Sequence, residues 1–132
     1  KWDVSRVTKM ESMFSAAKSF NQDLSNWDVS RVTDMRMIFY DQDAFNQDLS
    51  NWDVSRVTDM PLMFSYAFAF NQDLSKWDVS CVTDMEAMFF HAISFQQTLC
   101  GAAWVKSNAS KIKMFDNSPG SISDTVCGEW MM

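Results

Sequence analysis

The chain has 132 residues and a formal net charge of −6. That length builds one domain with a modest core. The acidic balance argues against nucleic acid and anionic membrane surfaces, both of which call for Lys/Arg clusters, and no apolar run is long enough to span a bilayer.

Four blocks of the same pattern, 1–25, 26–50, 51–75 and 76–100, follow one another without insertion or deletion. The chain opens inside a repeat, at Lys1-Trp2-Asp3, and reads as a processed or excised piece. A fixed period of about 20 to 50 residues is the mark of a solenoid, in which one unit stacks on its copies. Within a block, Trp27, Asp28, Val29 and Ser30 alternate in and out with period two, which predicts a short half-buried strand. Val32, Met35, Ile38 and Phe39 follow at helical spacing. Pro61 fits the first turn of that helix if Thr58 is the N-cap. The cap positions are then Thr8, Thr33, Thr58 and Thr83, with capping boxes at Thr8/Glu11 and Thr83/Glu86. Asp34, Asp59 and Asp84 sit where carboxylates suit a helix dipole. Each block ends in a return loop that carries Asn21, Asn46, Asn71 or Gln96, positioned for an asparagine ladder. The fold expected is an α/β leucine-rich-repeat-like solenoid. Parallel strands would form one face and short helices the other, with four blocks closed by a degenerate capping segment, 101–132. The last five residues, Gly128 to Met132, are expected to fray or to dock through Trp130.

The string WDVSRVTDM…MF…FNQDLS, present throughout 1–100, resembles the BspA-like leucine-rich-repeat surface proteins, which include many mycoplasma lipoproteins. The tail from Leu99 to Cys127 looks like the C-terminal cap of algal members. The resemblance implies a leucine-rich-repeat-like solenoid and, for many members, a surface or secreted location. It implies no catalytic residues.

The recurring positions have scaffold readings first. Trp2, Trp27, Trp52 and Trp77 run in phase with the inward valines, so core packing outweighs sugar stacking. Met10, Met35, Met60 and Met85 are core filler rather than metal thioether ligands. Asp3, Asp28, Asp53 and Asp78 point outward, where like charges on neighbouring strands need an offset. Arg6, Arg31 and Arg56 can interleave with them as an Asp–Arg lattice. A divalent cation such as Ca²⁺ is the alternative, although no dense acidic loop is present. No cofactor and no metal site is expected. Cys100 and Cys127 are positioned to staple the capping segment, which implies an oxidising compartment. Cys81 replaces the arginine of the other blocks and reads as an exposed free thiol. With His91 the single histidine, neither zinc binding nor a catalytic triad finds support, and the chain reads as no enzyme.

Function is to be sought where the blocks disagree. Met37, Tyr40, Leu62, Tyr66, Phe68, Phe90 and Ile93 are apolar where the template does not require it. Brought together by stacking, they form a candidate protein-contact surface. The first block lacks a polar cap, so Trp2 and Val4 present an open edge that missing sequence or a partner should cover. These features point to a non-enzymatic protein-binding or structural module, acting in surface adhesion and recognition or as an accessory subunit of a larger assembly. The alternative is an acidic cation- or glycan-binding matrix protein. The expected location is extracellular, at the cell surface, or in another oxidising lumen.

Overall fold

A computed structural model describes residues 2–128. The α/β leucine-rich-repeat-like solenoid expected from the sequence is not formed. Among the described residues there is one helix, α1 (Ala102–Val105), and one two-stranded sheet, β1 (Thr98–Leu99) paired parallel with β2 (Ser121–Ile122). The rest is turn and loop.

The reason lies in two local preferences that override the spacing. Where a strand was expected, the Asp28 carboxylate accepts the Ser30 amide at 3.0 Å and its hydroxyl at 2.6 Å. This Asx turn folds the chain back, so that the Val32 amide reaches the Val29 carbonyl at 3.0 Å. Asp3, Asp53 and Asp78 do the same with Ser5, Ser55 and Ser80. Where a helix was expected, two positions per block adopt the left-handed region. Ser12, Met37, Leu62 and Ala87 have φ of 52–59°, and Ala16, Asp41, Tyr66 and His91 have φ of 57–59°. A right-handed helix cannot contain them. Three-residue turns take its place, such as Ile38 N–H to Met35 C=O at 3.4 Å and Tyr40 N–H to Met37 C=O at 3.2 Å. Successive turns bury Met35, Ile38 and Phe39 completely, as a helix would have done.

Alternate amides of this turn segment donate to the following block. Met10, Ser12, Phe14 and Ala16 donate to the carbonyls of Asp34, Arg36, Ile38 and Tyr40 at 2.8–3.0 Å. The same set recurs from the second block to the third, from the third to the fourth, and from the fourth to Ser110, Ile112, Met114 and Asp116. Isolated parallel bridges link Lys9, Asp34, Asp59, Asp84 and Ser110 in turn. These bonds offset the left-handed residues, each of which costs roughly 1–2 kcal/mol. Pro61 fits because its position supplies only a carbonyl to this ladder, accepting the Met37 amide at 3.1 Å.

The threonines are not caps. Thr33, Thr58 and Thr83 each donate their hydroxyl to the threonine carbonyl one block earlier, at 3.2 Å. The asparagine ladder does form: the Asn46, Asn71 and Gln96 amides donate at 2.9 Å to the side-chain oxygen of the preceding asparagine. Gln47, Gln72 and Gln97 add a second donor to each at 3.0 Å. Inside, Phe14, Phe39, Phe64, Phe89 and Phe115 stack with centroids 5.4–5.7 Å apart. Trp52 and Trp77 are buried, with indole N–H groups donating to Leu24 and Leu49 carbonyls at 2.9 Å.

The capping segment keeps this pattern by a detour. Trp104 falls two residues late in sequence, but α1 takes up the excess and its indole donates to the Leu74 carbonyl at 2.8 Å. Gly101, just before α1, lies so close to the Ser75 carbonyl that a Cβ would collide with it. Cys100 and Cys127 form a disulfide with Cα atoms 5.1 Å apart, and the Cys127 amide donates to the Cys100 carbonyl at 2.9 Å. The fraying or docking expected of the chain end, including Trp130, lies outside the described residues.

Candidate functional site

The turns that follow each left-handed residue project side chains onto one flank. Tyr66 is its centre. Its ring meets Tyr40 at 6.0 Å, Phe68 at 6.1 Å and Phe90 at 5.7 Å, all edge-to-face, and lies parallel to the His91 imidazole at 4.9 Å. Tyr40, Tyr66, Phe68 and Phe90 are half-buried, and Ile93 is 57% exposed. Aromatic side chains so arranged are held by one another while still offering an apolar surface. Met37 and Leu62 are also half-buried and occupy left-handed positions.

Two members of this flank carried no signal in the sequence. As a single histidine, His91 reads only as a candidate catalytic or metal-ligating residue, yet it stacks on Tyr66 and accepts at Nε2 from the Asn117 side-chain amide at 3.0 Å. Ile112, 59% exposed, sits in the divergent segment, where no block-to-block comparison applies.

The charged positions Asp3, Asp28, Asp53, Asp78, Arg6, Arg31 and Arg56 are all exposed. The Asp–Arg lattice is replaced by Asp–Ser pairs, and none of these arginines forms an ion pair among the described residues. Bonds from Ser5, Ser30 and Ser55 hold the Asp3, Asp28 and Asp53 carboxyls below the usual carboxylate range. For Asp28, Arg31 lowers it further and Asp3 opposes. Arg36 does bridge acidic neighbours, with its Nε 3.1 Å from Asp34 and a terminal nitrogen 3.9 Å from Asp59. Lys18 reaches Asp41 at 2.6 Å and Asp43 at 3.8 Å. No group of His, Cys, Asp and Glu placed to hold a metal ion occurs among the described residues. None of their helices is long and apolar enough to cross a membrane. Cys81 is exposed and unbridged.

The first block carries an aromatic recess. Trp2, Phe14, Phe20, Leu24 and Trp27 line a concavity of about 630 Å³. Trp2 is 67% exposed, while Val4 is buried.

Turn-built blocks joined in register, with a disulfide in the last segment, carry an aromatic flank and an aromatic recess. The chain belongs to the family described as "Mycoplasma protein of unknown function, DUF285", whose model matches residues 1–104 and again 26–124. That match and the near absence of repeated strands and helices overturn the resemblance to BspA-like leucine-rich-repeat proteins. No curated protein matches the chain. No solved structure matches it either.

Proposed function

We propose that the chain is a non-enzymatic protein-binding module and that the flank centred on Tyr66 is its contact surface. The observation that carries this reading is the ring cluster of Tyr40, Tyr66, Phe68, Phe90 and His91 beside exposed Ile93. The first block builds the same backbone with Ser15, Ala16 and Lys18 at the corresponding places, so folding does not demand the aromatics. Tyrosine and phenylalanine are enriched among residues that anchor protein interfaces, since they bring large area at low entropic cost. The partner would be another protein or a larger assembly, in adhesion and recognition or as an accessory subunit.

The test is to replace Tyr66 by Ser and Phe68 by Lys, the chemistry of the first block. Proximity labelling with a photo-crosslinking residue at Ile93 should capture a discrete protein with the parent chain and lose it with the double variant, while the melting temperature holds. Capture that persists in the folded double variant would place the contact elsewhere.

A further inference from the structure

The capping segment departs from the repeated pattern at three consecutive positions. The parallel bridge from Asp84 to Ser110 fixes the register. Asn108, Ala109 and Ser110 therefore stand where the second, third and fourth blocks carry Val, Thr and Asp. Val32, Val57 and Val82 are buried, whereas Asn108 is exposed in the loop after α1. Asn21, Asn46 and Asn71 spend their side-chain oxygens on the ladder, while the Asn108 side chain makes no hydrogen bond among the described residues. Ser110 is held by its backbone: its amide donates to the Thr83 carbonyl at 3.0 Å, and its carbonyl accepts from the Met85 amide at 2.8 Å. Ser110 is exposed, and its hydroxyl carries no bond among the described residues. Any charged or polar residue would suffice to interrupt the valine column. Asn-Ala-Ser goes further, placing a hydroxyl two residues after an asparagine with a small residue between. Asn-x-Ser with x other than proline is the acceptor sequence for N-linked oligosaccharide. Asn108 is the one asparagine of the chain with Ser or Thr two residues on.

We propose that Asn108 is an N-glycosylation site. A second, independent observation supports it. Asn108 lies inside the loop closed by the Cys100–Cys127 disulfide. Disulfides form and persist in the secretory lumen, the periplasm and the cell surface, the side of the membrane on which oligosaccharides are transferred to protein. In the transfer, Asn108 Nδ2 forms a bond to the anomeric carbon of an oligosaccharide carried on a polyprenyl pyrophosphate. The bond from that carbon to the pyrophosphate oxygen breaks, and the lipid pyrophosphate leaves with its electron pair. The amide proton passes to a base of the transferase, which reads the Ser110 hydroxyl. The folded chain has room for the product. Asn108 borders a concavity of about 480 Å³ shared with Ser80, Thr83, Ala102 and Lys106, which leaves space beside its amide for the first sugar. None of the residues lining that concavity belongs to the flank around Tyr66, so the attachment point is separate from the proposed contact surface.

The test is the mass of the peptide Ser107–Lys111, which trypsin releases by cleaving after Lys106 and Lys111, in the protein isolated from the organism that makes it. The expected result is that peptide carrying hexose and N-acetylhexosamine. The variants are compared after secretion of the full chain from a eukaryotic cell line. The parent should show the mass of one glycan. Asn108→Gln and Ser110→Ala should each lose it completely, and Ser110→Thr should keep it, because the hydroxyl remains. The Asn108 side chain is exposed and unbonded, so Asn108→Gln should melt with the enzymatically deglycosylated parent. A bare Ser107–Lys111 peptide in the natural protein, or a glycan that persists in Asn108→Gln, would overturn the proposal.

Discussion

Trp77 offers a sharp test of how the blocks hold together. It is 2% exposed, and its indole N–H donates to the Leu49 carbonyl at 2.9 Å in the block before. Trp77→Phe keeps an aromatic ring but removes that bond and part of the buried volume. The Leu49 carbonyl still receives the Trp52 amide at 3.0 Å, so it is not orphaned, and the bond itself contributes about 1 kcal/mol. The space vacated by the smaller ring adds roughly 1 kcal/mol at about 24 cal/mol per Å³. The sum, about 2 kcal/mol, corresponds to a fall of roughly 6–10 °C in melting temperature for a chain of this size. Trp2→Phe is the control: Trp2 is 67% exposed, and its replacement should stay within about 0.5 kcal/mol. Thermal melts by near-ultraviolet circular dichroism decide the matter. Equal losses for the two variants would refute the argument that indoles clamp each block to the last.

Three further outcomes follow from other parts of the structure. Ala16→Gly relieves an exposed left-handed residue with φ of 58° and should raise stability by about 0.5–1 kcal/mol, net of the entropy glycine adds to the unfolded chain; chemical denaturation measures it. The Asp carboxyls bonded to Ser5, Ser30 and Ser55 are held low, so their contribution is present above the ordinary carboxylate range and lost as pH falls through their depressed values. Melting temperature should therefore decline below about pH 4, and Ser30→Ala should blunt that decline. Reducing the Cys100–Cys127 bridge, which spans 27 residues, should cost roughly 3–4 kcal/mol and loosen α1 and β2 first, seen as faster amide exchange at Ser123.

The inward positions were legible because they recur: Trp52, Val54, Met60 and Phe64 are all buried, as alternation and spacing require. So were the asparagine ladder and the disulfide, each marked by residue types with narrow structural uses. The backbone path was not. Successive three-residue turns and an α-helix place apolar side chains at nearly the same spacing, so Met35, Ile38 and Phe39 satisfy either. Left-handed residues usually announce themselves as glycine or asparagine, yet here Met37 and Leu62 adopt that conformation, held by amides bonded to the next block at 3.1 and 2.9 Å. The outward Asp28 reads as a charge in need of an arginine, whereas Ser30, two residues on, satisfies it through an Asp-x-Ser turn. Trp104 escaped its register because the four residues of α1 cannot be read from the period. At the contact surface the aromatic excess of the second, third and fourth blocks was visible, whereas the part of His91 depended on Asn117, 26 positions away.

The central claim is that alternate amides of the turn segments bond forward to the next block rather than to carbonyls four residues earlier. Scalar couplings across hydrogen bonds, read by long-range amide-to-carbonyl correlation in solution NMR, observe this directly. The structure predicts correlations from Met35 to Asp59, Met37 to Pro61 and Phe39 to Met63. Correlations from Phe39 and Tyr40 to carbonyls four residues earlier, as in a helix, would contradict it.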